Sequence, residues 1–228
     1  MKREDFVMER NVSLEEISDG KRYEGNDLVK ADCGDCEGCS ACCQGMGSSI
    51  LLDPYDIKRM EEGLCMDFNQ LMAGHIELNV VDHVILPNLK MTGSGERCSF
   101  LDGHGRCSIH PYRPGFCRLF PLGRVYEDRS FRYFLQIHEC PRENRTKVKV
   151  RKWVDTPDFK SYERFVADWH YFLKDLGERL KESGNQETIK AVNMYVLNQF
   201  YVTPYKAGED FYPQFYRRLE AAAAIAAV

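Results

Sequence analysis

The chain has 228 residues, 43% of them hydrophobic and 29% charged, with a formal net charge of -4. That length suits one large domain or one domain with a smaller companion, and the composition suits a packed core. The acidic balance and a pI of about 5.9 argue against a nucleic-acid binder, and no run of eighteen apolar residues offers a membrane span.

In chain order, residues 1–26 read as a polar lead, MKREDFVMERNVSLEEIS at its start, too charged for a signal peptide. A cytoplasmic location follows. One short helix is predicted there, because Ser13-Leu-Glu-Glu16 fits a capping box. Residues 27–150 hold all ten cysteines. Within them Asp53-Pro54 reads as an N-cap followed by a first-turn proline, opening a helix that stops at Gly63. A second short helix spans residues 67–74. Residues 76–86, 118–126 and 131–137 read as strands, with residues 127–130 as the hairpin turn between the last two. Asp102-Gly-His-Gly105 is another turn, between Cys98 and Cys107.

Residues 151–228 read as helical. Thr156-Pro157 opens a helix whose Phe159, Tyr162, Phe165, Val166, Trp169, Phe172, Leu173, Leu176 and Leu180 recur at steps of three and four, a core-facing stripe. A second helix carries Ile189, Val192, Val196 and Leu197 and ends before Pro204; Asp210 caps a third, which frays through the terminal alanines. The expected fold is α+β: a small metal-organised cysteine-rich core of short strands and helices (27–150), a lead (1–26), and a helical C-terminal region (151–228) packed on the core. The boundary near 150 is soft.

Five cysteines, Cys33, Cys36, Cys39, Cys42 and Cys43, crowd into eleven positions, and Cys98, Cys107, Cys117 and Cys140 follow. In a reducing compartment such a set points to metal or redox chemistry rather than to disulfides. Disulfide partners need α-carbons about 4.4–6.8 Å apart and facing side chains, and thiols this dense cannot all be paired locally without strain. A structural zinc ion takes four tetrahedral ligands: Cys39 and Cys42 could form one knuckle, completed by Cys98 with Cys107 or Cys117. An iron–sulfur cubane is held by a CxxCxxC run and a remote cysteine, often before proline; Cys36, Cys39, Cys42 and Cys140-Pro141 offer that. The spacing ranks a 4Fe-4S cluster ahead of zinc and leaves both open, since thiolates suit either. Cys65 stands apart and reads as a buried small hydrophobe.

Arg113 and Arg118 flank Cys117. They read as cofactor-binding groups that offset the negative charge of a thiolate-held centre and tune its potential; the plain alternative leaves both on the surface. Pro114 and Gly115 make the tight turn that presents Cys117.

CxxCxxCC, followed by CSFLDGHGRCSIHPYRPGFCRLFPL and a later cysteine, resembles the YkgJ-type cysteine-cluster family. Its pattern here is Cys36, Cys39, Cys42, Cys43, Cys98, Cys107, Tyr112-Arg113-Pro114, Cys117-Arg118 and Pro121. The resemblance implies a zinc- or iron-chelating domain; Cys33 adds a thiol to the pattern. Flagellin lysine methylases look like relatives, so the resemblance also implies S-adenosylmethionine-dependent protein lysine methyl transfer as an alternative activity. The remaining residues lend it little: no GxGxxG follows a strand and opens a helix, Met46 breaks the CxxxCxxC spacing of radical S-adenosylmethionine enzymes, and CxxCH for covalent haem is absent.

His110, near Cys107, could substitute as a ligand, though a backbone hydrogen bond is the plainer use. His104 and His170 read as exposed, His138 sits two residues before Cys140, and His75 and His83 fall in a strand region without partners. Asp53 is an N-cap; Asp56, Glu61 and Glu62 read as solvated. The chain is thus expected to be a metal-binding module with a structural and redox role, ahead of a protein-modifying enzyme and of a zinc-stapled interaction protein. Its partner is a protein substrate or redox protein, not nucleic acid or membrane.

Overall fold

The computed structural model describes residues 13–34, 36 and 39–226. Among them the chain forms eight α-helices and four two-stranded antiparallel sheets, a mixed α+β arrangement with a helical C-terminal region. No helix is long and apolar enough to cross a membrane among the described residues.

The first helix, α1 (Leu14–Ile17), is a single turn. Ser13 takes the N-cap position, but its side chain makes no cap bond, so the predicted capping box is not formed there. β1 (Leu28–Asp32) follows, and the cysteine run leaves its end. Asp53 opens α2 (Pro54–Leu64) with a reciprocal cap: Asp53 Oδ1 accepts from the Asp56 N–H at 2.8 Å, and Asp56 Oδ2 from the Asp53 N–H at 3.3 Å. Each bond occupies an N–H that the first helical turn leaves unsatisfied. α2 ends one residue beyond Gly63, and its C-cap is Cys65, left-handed at φ 53°. Cys65 is exposed there, not buried as its isolation in the sequence suggested. Asp67 and Gln70 build the same reciprocal cap on α3 (Phe68–Gly74), both bonds at 2.8 Å.

The segment read as one strand over residues 76–86 is a hairpin, β2 (Ile76–Val81) and β3 (Val84–Leu89). Asp82 and His83 turn it, both at positive φ, the geometry a two-residue hairpin loop requires. The outer edge of β3 is covered. Leu52 N–H donates to Pro87 O at 2.9 Å and Leu89 N–H to Ile50 O at 3.0 Å. Further along, the buried Asn193 side chain accepts from Ile85 N–H at 2.6 Å and donates to His83 O at 3.1 Å. His75 closes α3 and stacks on Phe100, 4.2 Å between centroids.

Two short strands missed in the sequence, β4 (Met91–Thr92) and β5 (Arg97–Cys98), pair next. Arg118 was expected in a strand but lies in the one-turn helix α4 (Gly115–Leu119); the strand β6 (Leu122–Glu127) starts only after Pro121 and pairs with β7 (Ser130–Leu135) through a turn at Asp128-Arg129. Proline has no N–H to give a ladder, and here it stands between the two elements. β8 (Thr146–Lys149) returns to pair with β1, then runs into α5 (Val150–Val154).

The long helix α6 (Phe159–Ser183) is capped by Asp158, whose side chain accepts from Ser161 N–H, rather than opened at Thr156. Its predicted stripe faces the core: Tyr162 and Phe165 are 0% exposed. α7 (Gln186–Leu197) and a π-helical turn over Asn198–Val202 precede α8 (Phe211–Ala226), where Asp210 accepts from Tyr212 N–H as expected of a cap. Phe165 sits at the middle of an aromatic cluster, with ring centroids 4.6 Å from Phe215 and 5.2 Å from Phe211, and Tyr55 of α2 at 6.3 Å. His170, expected to be exposed, is buried and stacks on Tyr126 at 3.5 Å.

Candidate metal centre

Backbone pairing brings four stretches of chain together around the thiols. Cys39 N–H donates to Cys36 O at 3.0 Å, and a 3₁₀ turn over Ala41–Cys43 carries the vicinal pair Cys42 and Cys43. The run is then laid along β5, with Gly45 N–H on Glu96 O at 3.0 Å and Gln44 bridging Arg97. Cys98 ends β5 and is buried. The Asp102 turn reverses the chain as predicted, its Oδ1 accepting from His104 N–H at 2.9 Å and Arg106 N–H at 2.8 Å. Cys107 thereby bridges Leu101, beside the strand that ends in Cys98. A second 3₁₀ turn (His110–Tyr112) leads to α4, whose middle residue is Cys117.

All ten cysteines are free thiols. Six of the predicted ligands, Cys36, Cys42, Cys43, Cys98, Cys107 and Cys117, feel one another's charge. Lost hydration pushes Cys117 well above the usual thiol range, and repulsion from Cys42, Cys98 and Cys107 adds to it. Burial likewise raises Cys98, with Cys42 adding, and raises Cys107, with Cys98 and Cys42 adding. Burial and then the Cys33 thiol take Cys36 up to about 12. The Cys43 thiol donates to Cys42, which lowers Cys42 to about 7 and raises Cys43. Thiols that oppose one another's ionisation in this way are relieved by a soft cation, which takes thiolates as ligands. The donor set therefore fits zinc or iron–sulfur ligation in kind. No three Cys, His, Asp or Glu side chains are already drawn to one point at ligand spacing among the described residues.

The remaining predicted ligands stand at the margin. Cys33 Sγ lies 3.6 Å from Cys36 Sγ. Cys39 is half-buried within the run, and Cys140 is half-buried in the loop after β7. The two arginines part company. Arg113 favours the thiolate forms of Cys36, Cys42 and Cys107, and its Nη1 donates to His110 Nε2 at 2.7 Å. Arg118 is 3% exposed, its Nη2 3.9 Å from Asp56 Oδ1 and its guanidinium over the Tyr162 ring.

Asp56, read as solvated in the sequence, is 1% exposed. It lies beside Asp53, and both carboxyls are pushed up by burial. Asp53 reaches about 8, with Asp56 adding to the rise while the Asp56 N–H, Arg118 and Arg124 oppose it. Folding thus raises this pKa above its ordinary 3.8, so the folded chain keeps a proton that the unfolded chain has lost. The stability this group contributes is full below about pH 4 and is lost as pH climbs to about 8. Asp53→Asn keeps an N-cap side chain and is expected to shallow that slope in denaturant unfolding measured across this range. An unchanged slope would mean that Asp53 does not hold a proton on folding.

Residues 35–149, half of the chain, match the family described as "CxxCxxCC: Putative zinc- or iron-chelating domain". No curated protein and no solved structure matches the chain.

Proposed function

From the premise that the chain belongs to the CxxCxxCC family of zinc- or iron-chelating domains, we propose that it holds a thiolate-ligated metal centre with a structural and redox role. The observation that carries this is the joining of the cysteine run to β5, which ends in Cys98, and of Cys107 to Leu101 beside it, where Cys36, Cys42, Cys43, Cys98, Cys107 and Cys117 disfavour one another's ionisation. These six are the inner candidates and Cys33, Cys39 and Cys140 the outer ones, a larger pool than the four thiolates a single cubane or zinc ion takes. The CxxCxxC run with a remote cysteine before Pro141 favours a 4Fe-4S cluster over zinc. When bound, such a centre supplies one-electron chemistry; the chain's own residues orient the sulfurs and balance their charge. Arg113 supplies the nearest positive charge, and Arg118 supports the turn behind Cys117. Residues 27–150 form the metal-binding part and residues 151–228 its helical support. A reducing cytoplasm keeps the thiols available, and the partner is a redox protein or protein substrate.

Anaerobic purification with metal and acid-labile sulfide analysis tests this reading. Iron and sulfide in equal numbers, with broad visible absorption and a reversible wave in voltammetry, are expected. Stoichiometric zinc without colour would replace the cluster by a structural ion. Neither metal at stoichiometric level would overturn the reading.

A further inference from the structure

Asp56 is far in sequence from every ligand candidate except the early run, yet it grips the turn that carries Cys117. Gly115 N–H donates to Asp56 Oδ1 at 2.7 Å, and Arg118 Nη2 approaches the same oxygen at 3.9 Å. Those two groups stand on either side of Cys117, so one buried oxygen holds both halves of α4. The carboxylate cannot swing away, because its other oxygen takes the Asp53 N–H in the cap of α2. The space behind the turn is closed as well: a Cβ on Gly115 would stand 2.6 Å from the Tyr162 hydroxyl and 3.5 Å from Asp56 Oδ1.

Stability alone is a poor reason for setting Arg118 beside this carboxyl. Arg118 has three buried guanidinium nitrogens without a hydrogen bond among the described residues, and a buried pair this loosely made is often no better than apolar residues of the same size. Its geometry instead fixes the turn that carries Cys117, a thiol whose ionisation Cys42, Cys98 and Cys107 oppose. We propose that Asp56 is a positioning residue for the metal centre: it presets the α4 turn so that the Cys117 sulfur faces the other thiols before an ion arrives. The proposal rests on Cys117 being a ligand, as argued above. Partners that orient a metal's ligands typically cost about 10–100-fold in affinity when removed.

Cobalt(II) titration of the full chain tests it, read both as affinity and as the intensity of thiolate-to-cobalt charge-transfer absorption. Asp56→Ala is expected to weaken binding by about tenfold or more and to lose the absorption owed to one sulfur, as Cys117→Ser does. Asp56→Asn keeps an acceptor for the Gly115 N–H and is expected to retain the band and most of the affinity. Should Asp56→Ala fail to fold, Asp56→Leu combined with Arg118→Met removes both charges while filling the space, and the same losses are expected. Full band and unchanged affinity in either folded variant overturn the proposal. Collapse of both makes Asp56 a residue of the fold alone and overturns it too. If the unaltered chain binds no cobalt, the metal reading itself fails and takes this inference with it.

Discussion

Cys117→Ser is expected to weaken metal binding by at least about 100-fold, more than the loss of an orienting partner around a ligand. A serine hydroxyl does not ionise at neutral pH, and nothing else on α4 offers a soft donor. The effect should be larger than at Cys33 or Cys140, because Cys117, like Cys43, is a thiol whose ionisation three other cysteines oppose. Cys65→Ser is the matched control: that thiol is exposed at the C-cap of α2, and its loss should leave metal content unchanged. Metal per chain after competition with a graded chelator reads both. Equal occupancy in the Cys117 and Cys65 variants would remove Cys117 from the ligand set.

The second large effect is structural. Phe165→Ala is expected to cost about 3–5 kcal/mol, the range for truncating a fully buried aromatic. Phe165 is 0% exposed and meets Phe211 and Phe215 edge-on, with Tyr55, Tyr162 and Tyr212 around them. Edge-to-face pairs add to the plain loss of apolar area, and rings from α2, α6 and α8 cannot all collapse into the space left. Chemical denaturation reads the result as a lower midpoint at unchanged slope. A change under about 1 kcal/mol would show that the cluster repacks freely. The two experiments separate two kinds of cohesion, since the first should leave the aromatic cluster intact.

What could be read from the sequence was what neighbouring residues decide. Asp53 with Pro54, and Asp67 with Gln70, mark helix starts because cap and partner lie within one turn. The β6–β7 turn and the Asp102 turn are equally local, and the stripe on α6 repeats often enough to be unmistakable. Pairing across distance was hidden. Leu28 and Lys149 meet across the β1–β8 sheet, yet neither stretch has the length or alternation that would declare a strand. Asp56 was missed as a buried group for the same reason. Its spacing from Asp53 announces a cap, and only the arrival of Gly115, Arg118 and Tyr162 from far along the chain takes it out of water. The thiols are an intermediate case: their spacing announced ligation, while the separate partners of Arg113 and Arg118, His110 for one and Asp56 with Tyr162 for the other, depended on the fold.

The amide of Asn193 has a consequence for life in a crowded solution. An open strand edge invites a strand from another molecule, the route to fibrous aggregation. At the turn and along β3 the outward groups of His83 and Ile85 are taken by Asn193, and those of Pro87 and Leu89 by residues 50 and 52. A side chain on a helix thus impersonates the missing neighbour, and that border of the hairpin offers a second copy nothing to zip onto.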